Sequence, residues 1–267
     1  MYVNAYFKKQ NSGVASKQHV SHFVLFWAQV SPIEAINLLS PQTSHRNFVI
    51  QYALRALQCH PVTLCFFYVP QLVQELRNDT YGLVEEYILE AGKVSQKFAH
   101  QIIWNIMANM YIDDDATIPN PMKPQLDLVL KKMEESFNTQ EREYYNKEFK
   151  FFGDITGISG TLKPYIKKSK AEKKAIIDQE MAKIEVPEGV YLPSHPDGVV
   201  VDIDRKSGKP MQSHAKAPFL AKFKIRIEDE SVETTDDDSE NSDAVVGKKS
   251  VSDSDLAKHN DVWQGAI

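Results

Sequence analysis

A short basic segment in the last third of the chain carries residue types that suit anion binding. Residues 212–218 read QSHAKAP, in which Ser213 offers a hydroxyl donor and Lys216 an ammonium donor. The small residues beside them would let backbone N–H groups approach a phosphate, as in an anion-binding nest. An ordinary basic hairpin has the same composition. The residues themselves therefore leave two interpretations open, a phosphate cradle and a hairpin without a ligand.

Two groups of carboxylates are weaker candidates for chemistry. Residues 113–115 are three consecutive aspartates in a polar loop, a pattern that is usually solvated rather than bound to a cation. Asp202 and Asp204 flank Ile203 on a predicted strand, so their side chains share one face. A polar sheet face explains that pair better than a metal site. The chain also has no Walker loop, no His-Glu-x-x-His motif and no nucleophile elbow.

The composition is that of a globular protein. The 267 residues are 42% hydrophobic and 25% charged, with a net charge of −5. The dense charge run is acidic, which argues against a nucleic-acid partner. Cys59 and Cys65 are predicted to be buried, reduced thiols. A metal site is not expected at them, because too few further soft ligands lie nearby. Without a signal peptide or a 20-residue apolar run, the chain is expected to be cytoplasmic.

Apolar residues at helical spacing dominate the first 162 residues. Prolines and short polar loops separate the helical segments, and Pro70 is expected to kink or divide the third. The long fourth segment is predicted to be one helix. The predicted helices cover residues 32–39, 46–60, 61–76, 83–112, 126–137 and 141–152. Successive helices of similar length joined by short loops predict an α-solenoid-like domain.

A linker helix follows this helical region. Gly153, Gly157 and Gly160 are expected to break the preceding helix, and Ser169 with Glu172 forms a predicted capping box before the next one. The linker is rich in lysine, which would attract acidic lipid head groups; a solvated helix face is the other interpretation. These lysines are Lys163, Lys167, Lys168, Lys170, Lys173 and Lys174.

The pattern then changes from helical to strand-like. Residues 189–192 and 199–203 are β-branched or aromatic runs bounded by turn residues, as strands are. A turn is predicted at residues 205–209. Residues 219–227 alternate between apolar and basic side chains, which predicts an antiparallel strand with one solvated face. Residues 228–261 are acidic, rich in serine and poor in aromatics, which is typical of a disordered insert.

Several longer runs resemble one family of lipid kinases. The most specific run is GKPMQSHAKAPFLAKF at residues 208–223, and the others agree with it. These others are GVYLPS (189–194), IQYALRAL (50–57), FAHQIIWN (98–105) and GISGTLKPYIKKSK (157–170). Together they resemble the type III alpha phosphatidylinositol 4-kinases over most of residues 25–227.

The resemblance implies an α+β architecture of the phosphoinositide-kinase type. An α-solenoid-like accessory (PIK) domain would occupy residues 1–162 and a linker helix residues 163–186. An incomplete antiparallel β-sheet, part of the kinase N-lobe, would occupy residues 187–267, with the acidic insert at about 228–261.

The resemblance also assigns roles around residues 212–218. In the family this loop covers the phosphates of ATP, so Ser213 and Lys216 are expected to contact phosphate. His214 is expected to contribute its backbone N–H. Met211 and Phe219 are candidates for the adenine side of the nucleotide.

The sequence departs from the family pattern at its C-terminal end. Residues 263–267 (WQGAI) resemble a strand that continues in the family with Phe-Lys and then Gly-Asp-Asp. That lysine contacts the ATP phosphates, and the sequence stops two residues before it. The catalytic loop and the magnesium-binding motif are also absent from these residues, so no catalytic or metal-binding residue is assigned. Ile267 would line the adenine pocket if a continuation follows it.

The implied reaction is transfer of the γ-phosphate of ATP to the 4-hydroxyl of phosphatidylinositol, with Mg²⁺ as cofactor. This chain by itself is expected to be inactive, because phosphoryl transfer depends on the absent lysine and metal site. The implied partners are phosphatidylinositol in membranes and scaffold or adaptor proteins that recruit the kinase, with peripheral recruitment to the plasma membrane. The alternative is a non-catalytic helical scaffold or interaction module.

Overall fold

The computed structural model describes residues 26–40, 47–113, 115–212 and 217–227. The chain divides into two compact units, one up to Arg142 and one from Glu143. The described part of the first unit is helical, whereas the second combines helices with a pair of antiparallel strands. The predicted α+β class is thus confirmed. The family-domain boundaries at residues 162 and 186 stay a prediction.

The first unit is built from short amphipathic helices. They are α1 (Pro32–Leu39), α2 (Asn47–Gln58), α3 (Val62–Cys65), α4 (Val69–Glu75), α5 (Leu83–Val94), α6 (Gln96–Asn109) and α7 (Lys123–Ser136). Helix α1 begins with a capping box between Ser31 and Glu34, and Pro32 occupies its first turn. Helix α1 packs on α2, α5 on α6, and α6 on both α4 and α7. The core of this unit is thus made of the apolar stripes of neighbouring helices.

Two predictions in this unit concern proline and cysteine. A 3₁₀ turn at Phe66–Tyr68 separates α3 from α4, and Pro70 lies in the first turn of α4, which confirms the predicted division. The Cys65 thiol is buried as predicted. The prediction for Cys59 is wrong, because this thiol is exposed after the end of α2, where Gln29 Nε2 donates a hydrogen bond to its Sγ.

The single helix predicted over residues 83–112 is also wrong. Ser95 adopts an extended backbone, with φ −138° and ψ 110°, and separates α5 from α6. Its hydroxyl accepts a hydrogen bond from the backbone N–H of Phe98 at 3.2 Å. Serine stabilises a helix as an N-cap but competes with the helix backbone in the interior. This local bond therefore starts a new helix after Ser95, whereas the apolar periodicity runs through this position and predicts a single helix.

Helix α8 (Thr139–Leu162) continues through the three glycines that were expected to end it, so that prediction is wrong. Gly153, Gly157 and Gly160 are exposed, and a Cβ at any of them would meet nothing within 4 Å. The opposite face of the helix is buried in the core of the second unit. Glycine costs a helix interior about 1 kcal/mol relative to alanine, and burying several large apolar side chains outweighs that cost.

Helix α9 (Lys170–Met181) packs on the first strand of the second unit. The predicted capping box is confirmed: Ser169 Oγ accepts from the backbone N–H of Glu172 at 3.3 Å, and the Glu172 carboxylate accepts from the Ser169 backbone at 3.0 Å. Ile177 and Met181, which lie one turn apart on one face of this helix, are both buried.

Strands β1 (Gly198–Pro210) and β2 (Phe219–Ile227) form an antiparallel pair. The alternation predicted for β2 is confirmed up to Ile225, whereas Ile227 at its end is 46% exposed. The predicted turn at residues 205–209 is wrong. Residues 205–208 instead form an irregular bulge inside β1, because Ser207 Oγ accepts from the Lys222 backbone N–H at 2.8 Å and restores a cross-strand bond.

The strand predicted at residues 189–192 is wrong as well. The described segment has no ladder there beyond an isolated bridge between Leu192 and His195. Val190, Tyr191 and Leu192 are nevertheless buried. Their apolar, β-branched composition therefore reflects burial in an irregular segment rather than pairing in a sheet.

Candidate functional site

The segment suited to anion binding closes a hairpin between β1 and β2. Pro210 is paired with Phe219, and the Met211 N–H donates a hydrogen bond to the Pro218 carbonyl at 2.9 Å. Residues 212–217 are left to connect the strands. The three predicted phosphate-binding residues (Ser213, His214 and Lys216) and Ile267 lie outside the described residues, so their roles stay predictions.

The C-terminal side of this connection is held by the core. Phe219 is fully buried and Ala217 is 8% exposed, and both belong to the apolar cluster that includes Phe151 and Ile155 of α8. The Ser159 hydroxyl donates to the Ala217 carbonyl at 3.1 Å. Helix α8 thus fixes the point where the chain leaves the loop and enters β2.

The two candidates for adenine contact have different environments. The side chain of Met211 is 39% exposed at the end of β1, whereas Phe219 is enclosed by the core. The structure brings the two residues to the same end of the hairpin through the bond between Met211 and Pro218. Contact of either side chain with a nucleotide stays a prediction.

The outer face of the hairpin pairs acids with bases across the strands. Asp202 lies opposite Lys224, and Asp204 lies opposite Lys222. Two hydrogen bonds to its carboxylate lower the pKa of Asp202. The larger effect comes from the backbone N–H of Ile203 and the next from the guanidinium of Arg205, 3.0 Å away. Carboxylates opposite lysines on neighbouring strands are what an ordinary polar sheet face contains.

Asp113 of the acidic loop has a structural role. Its carboxylate accepts bonds from the Thr117 hydroxyl at 2.6 Å, the Thr117 N–H at 3.1 Å and the Ile118 N–H at 2.6 Å. These bonds lower the pKa of Asp113 to about 2. Such side-chain-to-backbone bonds are those of a turn. Across the described ranges, no three His, Cys, Asp or Glu side chains are grouped as a metal ion would need.

A buried carboxylate ties α8 to the segment before β1. Glu148 is fully buried, and its Oε2 accepts the backbone N–H of Tyr191 at 3.0 Å. The Tyr144 hydroxyl donates to the carbonyl of Gly189, which has φ +81°, at 3.1 Å. Burial, and then the nearby Glu148 carboxylate, raises the pKa of Tyr191. The kinase-like run GVYLPS is thereby held against the helix.

Sequence reasoning missed both Ser159 and Glu148. For Glu148 a signal exists: it precedes the buried stripe of Phe151, Ile155 and Ile158 at the same three- and four-residue spacing. A glutamate on an apolar face indicates a buried partner. For Ser159 the one signal is its place inside the kinase-like run at residues 157–170.

In the portion of the chain that the structure covers, no helix combines the length and the apolarity needed to span a bilayer.

Comparison with known proteins agrees with the sequence resemblance. Residues 9–146, more than half of the chain, match the accessory domain (PIK domain) of the phosphoinositide 3-kinase family. The chain is 55% identical over 217 residues to phosphatidylinositol 4-kinase STT4 of Saccharomyces cerevisiae, covering 81% of this chain. It is 49% identical over 245 residues to phosphatidylinositol 4-kinase stt4 of Schizosaccharomyces pombe, covering 92% of this chain.

A plant relative is more distant. The chain is 35% identical over 204 residues to phosphatidylinositol 4-kinase alpha 1 of Arabidopsis thaliana, covering 74% of this chain. The matched regions are 11%, 13% and 10% of these three relatives, so the chain spans about a tenth of their length. The resemblance to type III alpha phosphatidylinositol 4-kinases is thus confirmed, and the chain belongs to the phosphoinositide 3-kinase family, whose accessory (PIK) domain it carries.

Proposed function

We propose that this chain supplies the helical scaffold and the ATP-phosphate hairpin of a lipid kinase. The proposed reaction transfers the γ-phosphate of ATP to the 4-hydroxyl of phosphatidylinositol and forms phosphatidylinositol 4-phosphate. The observation that carries the proposal is the closed hairpin. Its Met211–Pro218 bond and the Ser159–Ala217 bond hold both ends of a short polar connection whose sequence is kinase-like.

The chemistry of the loop fits a nucleotide phosphate. Ser213 offers a hydroxyl, Lys216 an ammonium group and His214 a backbone N–H, the donors that bind phosphate oxygens elsewhere. Mg²⁺ would neutralise charge on the phosphates, and ATP would supply the phosphoryl group. The residues of this chain would orient the nucleotide, and the helices behind them would keep the hairpin in place.

We further propose that these 267 residues do not catalyse the reaction alone. Phosphoryl transfer depends on positioning and on neutralisation of charge by a metal ion and a lysine. The family-like strand at residues 263–267 stops short of the corresponding lysine, and these residues contain no catalytic loop. Phosphatidylinositol in the membrane is the proposed substrate, and a scaffold or adaptor protein is proposed to recruit the kinase to the plasma membrane.

The test is a lipid-kinase assay on two proteins. One is the 267-residue chain itself, and the other continues it through a kinase C-lobe taken from a similar relative. Each is mixed with phosphatidylinositol vesicles, Mg²⁺ and radiolabelled ATP. Labelling of lipid by the longer protein alone supports the proposal. Labelling by the shorter chain would refute the proposed inactivity, and no labelling by either would count against the kinase role.

A charge-matched pair of variants tests the loop itself. In the longer protein, Lys216→Ala should raise KM for ATP by about tenfold or more, since a charge-assisted bond contributes about 1.5–3 kcal/mol. The control is Lys224→Ala, which removes the same charge from the exposed face of β2. A KM that is equal in the two variants would show that Lys216 does not contact the nucleotide.

A helical interaction module is the second candidate, and the surface of the first unit favours it. A groove of about 330 Å³ is lined by residues that include Leu57, Val62, Tyr87 and Val94, and Val94 is 82% exposed. A groove lined largely by apolar side chains is a common feature of protein-binding surfaces. The test is a pull-down with a candidate adaptor protein in the absence of ATP, comparing the chain with its Val94→Asp variant. Equal capture of both would count against this groove.

A further inference from the structure

We infer that the lysine surface at the start of α9 is a docking site for an anionic membrane. It comprises Lys163, Lys167, Lys168, Lys170, Lys173 and Lys174. The inference rests on the proposed function in one respect, since a lipid kinase must meet its substrate at a membrane. The argument for binding itself comes from the charge and exposure of this surface.

The lysines are concentrated where few acids offset them. Between Lys163 and Asp178 the sequence has six lysines against two carboxylates, Glu172 and Asp178, in a chain whose net charge is −5. Glu172 is engaged by the capping box and lies 3.8 Å from Lys168. Asp178 is paired with Lys174 at 2.6 Å. A net positive surface of this kind attracts an anionic leaflet, at about 1 kcal/mol per lysine near the surface.

Two of the lysines hold the surface in shape. Lys173 donates to the Ile166 carbonyl at 3.3 Å, and Lys174 donates to the Lys206 carbonyl at 2.8 Å, which brings the bulge of β1 beside the helix. Ile166 packs against the core of the second unit. Lys167, Lys168 and Lys170 therefore project from a fixed turn rather than from a loose linker, so less conformational freedom is lost on binding.

The position of these lysines around the N-terminal end of α9 points to an anionic partner. The N-terminal end of α9 carries the positive end of the helix dipole, where cations are unfavourable and anions are stabilised. Lys167, Lys168 and Lys170 are nevertheless exposed at this end. An anionic surface would relieve this repulsion, whereas water alone only screens it.

An aromatic side chain suits a membrane in particular. Tyr165 is 36% exposed within the 3₁₀ turn before α9, and Lys168 Nζ lies 5.0 Å from its ring centroid. Tyrosine is enriched at the level of lipid head groups, because its ring is amphipathic. A lysine chain beside it places its charge at the same depth. A lipid surface thus fits both the charge and the exposed ring.

The experiment is co-sedimentation of the full 267-residue chain with vesicles. Vesicles of phosphatidylcholine with phosphatidylserine are compared with vesicles of phosphatidylcholine alone. The test variant is Lys167→Gln/Lys168→Gln/Lys170→Gln, which leaves the two lysines that hold the turn in place. We expect about a hundredfold weaker binding to the anionic vesicles, since each lysine accounts for about a fivefold change. Added salt should weaken binding of the wild-type chain.

The control variant removes the same charge elsewhere. Lys131, Lys150 and Lys183 are exposed and already paired with carboxylates three or four residues away. Changing these three to glutamine should leave vesicle binding within about threefold of wild type. Equal weakening by the two triple variants would show a general charge effect and overturn the proposal. Equal binding of the wild-type chain to both kinds of vesicle would also overturn it.

Two further arms separate this proposal from its alternatives. If soluble poly-glutamate binds the chain as tightly as the vesicles do, the surface recognises an acidic protein segment and the lipid assignment is wrong. Vesicle binding needs no catalysis. If the lysine surface binds vesicles but the longer protein does not label lipid, this inference stands and the kinase role is refuted. If the longer protein labels lipid but the lysine surface does not bind vesicles, the kinase role stands and this inference is refuted.

Discussion

Two glycines of the second unit should respond to alanine with opposite signs. Gly157 lies on the exposed side of α8, where an added Cβ would meet nothing within 4 Å. Gly208 lies in the bulge of β1, where an added Cβ would be 2.4 Å from Ile177 Cγ2 and 2.8 Å from Asp178 Oδ1. Both residues belong to the same compact unit. The same unfolding transition therefore reports both changes.

The magnitudes follow from these two environments. Gly157→Ala reduces the conformational entropy of the unfolded chain and suits a helix, so it should raise the free energy of unfolding by about 0.5–1 kcal/mol. Gly208→Ala forces the new methyl group into Ile177, which has little room to move because it is fully buried. Overpacking of this kind should lower the free energy of unfolding by about 1–3 kcal/mol.

The assay is urea unfolding followed by far-ultraviolet circular dichroism. With an m value of about 1.5 kcal/mol/M, Gly157→Ala should raise the midpoint by about 0.3–0.7 M and Gly208→Ala should lower it. Hydrogen exchange of peptides covering residues 151–162 then shows whether the gain lies in α8. A lower midpoint for Gly157→Ala would mean that the helix ends at its glycines, as the sequence pattern suggests. Tolerance of Gly208→Ala would refute the close packing of α9 on β1.

Three further substitutions each test the role of one buried or hydrogen-bonded side chain. Ser159→Ala removes the hydrogen bond to the Ala217 carbonyl. It should raise the KM of the longer kinase for ATP about 2- to 10-fold, because such a hydrogen bond contributes about 0.5–1.5 kcal/mol. An unchanged KM would mean that this bond does not position the loop. Glu148→Leu should lower the free energy of unfolding by about 1–3 kcal/mol, because the buried Tyr191 N–H loses its acceptor. Glu148→Gln keeps an acceptor and should lower the free energy of unfolding by less. Equal urea midpoints of the two variants would contradict this. Burial lowers the pKa of His100 to about 4, below its ordinary 6.5. The unfolded chain therefore binds the extra proton first, and stability should fall by roughly 3 kcal/mol as the pH drops from about 6.5 to 4. Urea midpoints measured over this range should fall less steeply in His100→Gln, and parallel curves would exclude the histidine as the cause.

The elements with strong periodicity were predictable from sequence. The alternation in β2 correctly marks Phe219, Ala221, Phe223 and Ile225 as buried, because a strand with one solvated face has a strict period of two. The capping box at Ser169 is equally local, since both of its partners lie within one turn. Where neighbours in sequence determine the structure, the prediction succeeds.

The remaining features depend on contacts that sequence spacing does not reveal. Ser95 and Phe98 are close in sequence, yet a serine occurs both at N-caps and inside helices, so the spacing of the apolar residues does not reveal which role Ser95 has. In α8, the free energy gained by burying the apolar face exceeds the cost of the glycines on the exposed face, so the helix continues through them. The bond between Ser159 and Ala217 joins residues 58 positions apart. Such a pairing arises from the tertiary fold, and no local pattern contains it.

The bulges of β1 also affect how this chain behaves among its own copies. The ladder with β2 is interrupted after Val200, where Val201 has no partner, and again at residues 205–208. A regular strand of 13 residues would offer a long, even row of backbone donors and acceptors to a strand of another molecule. Bulges twist such a row and break its spacing, which disfavours in-register pairing with a strand of a second chain. The same irregularity that seats Gly208 against α9 therefore protects the hairpin against edge-to-edge aggregation.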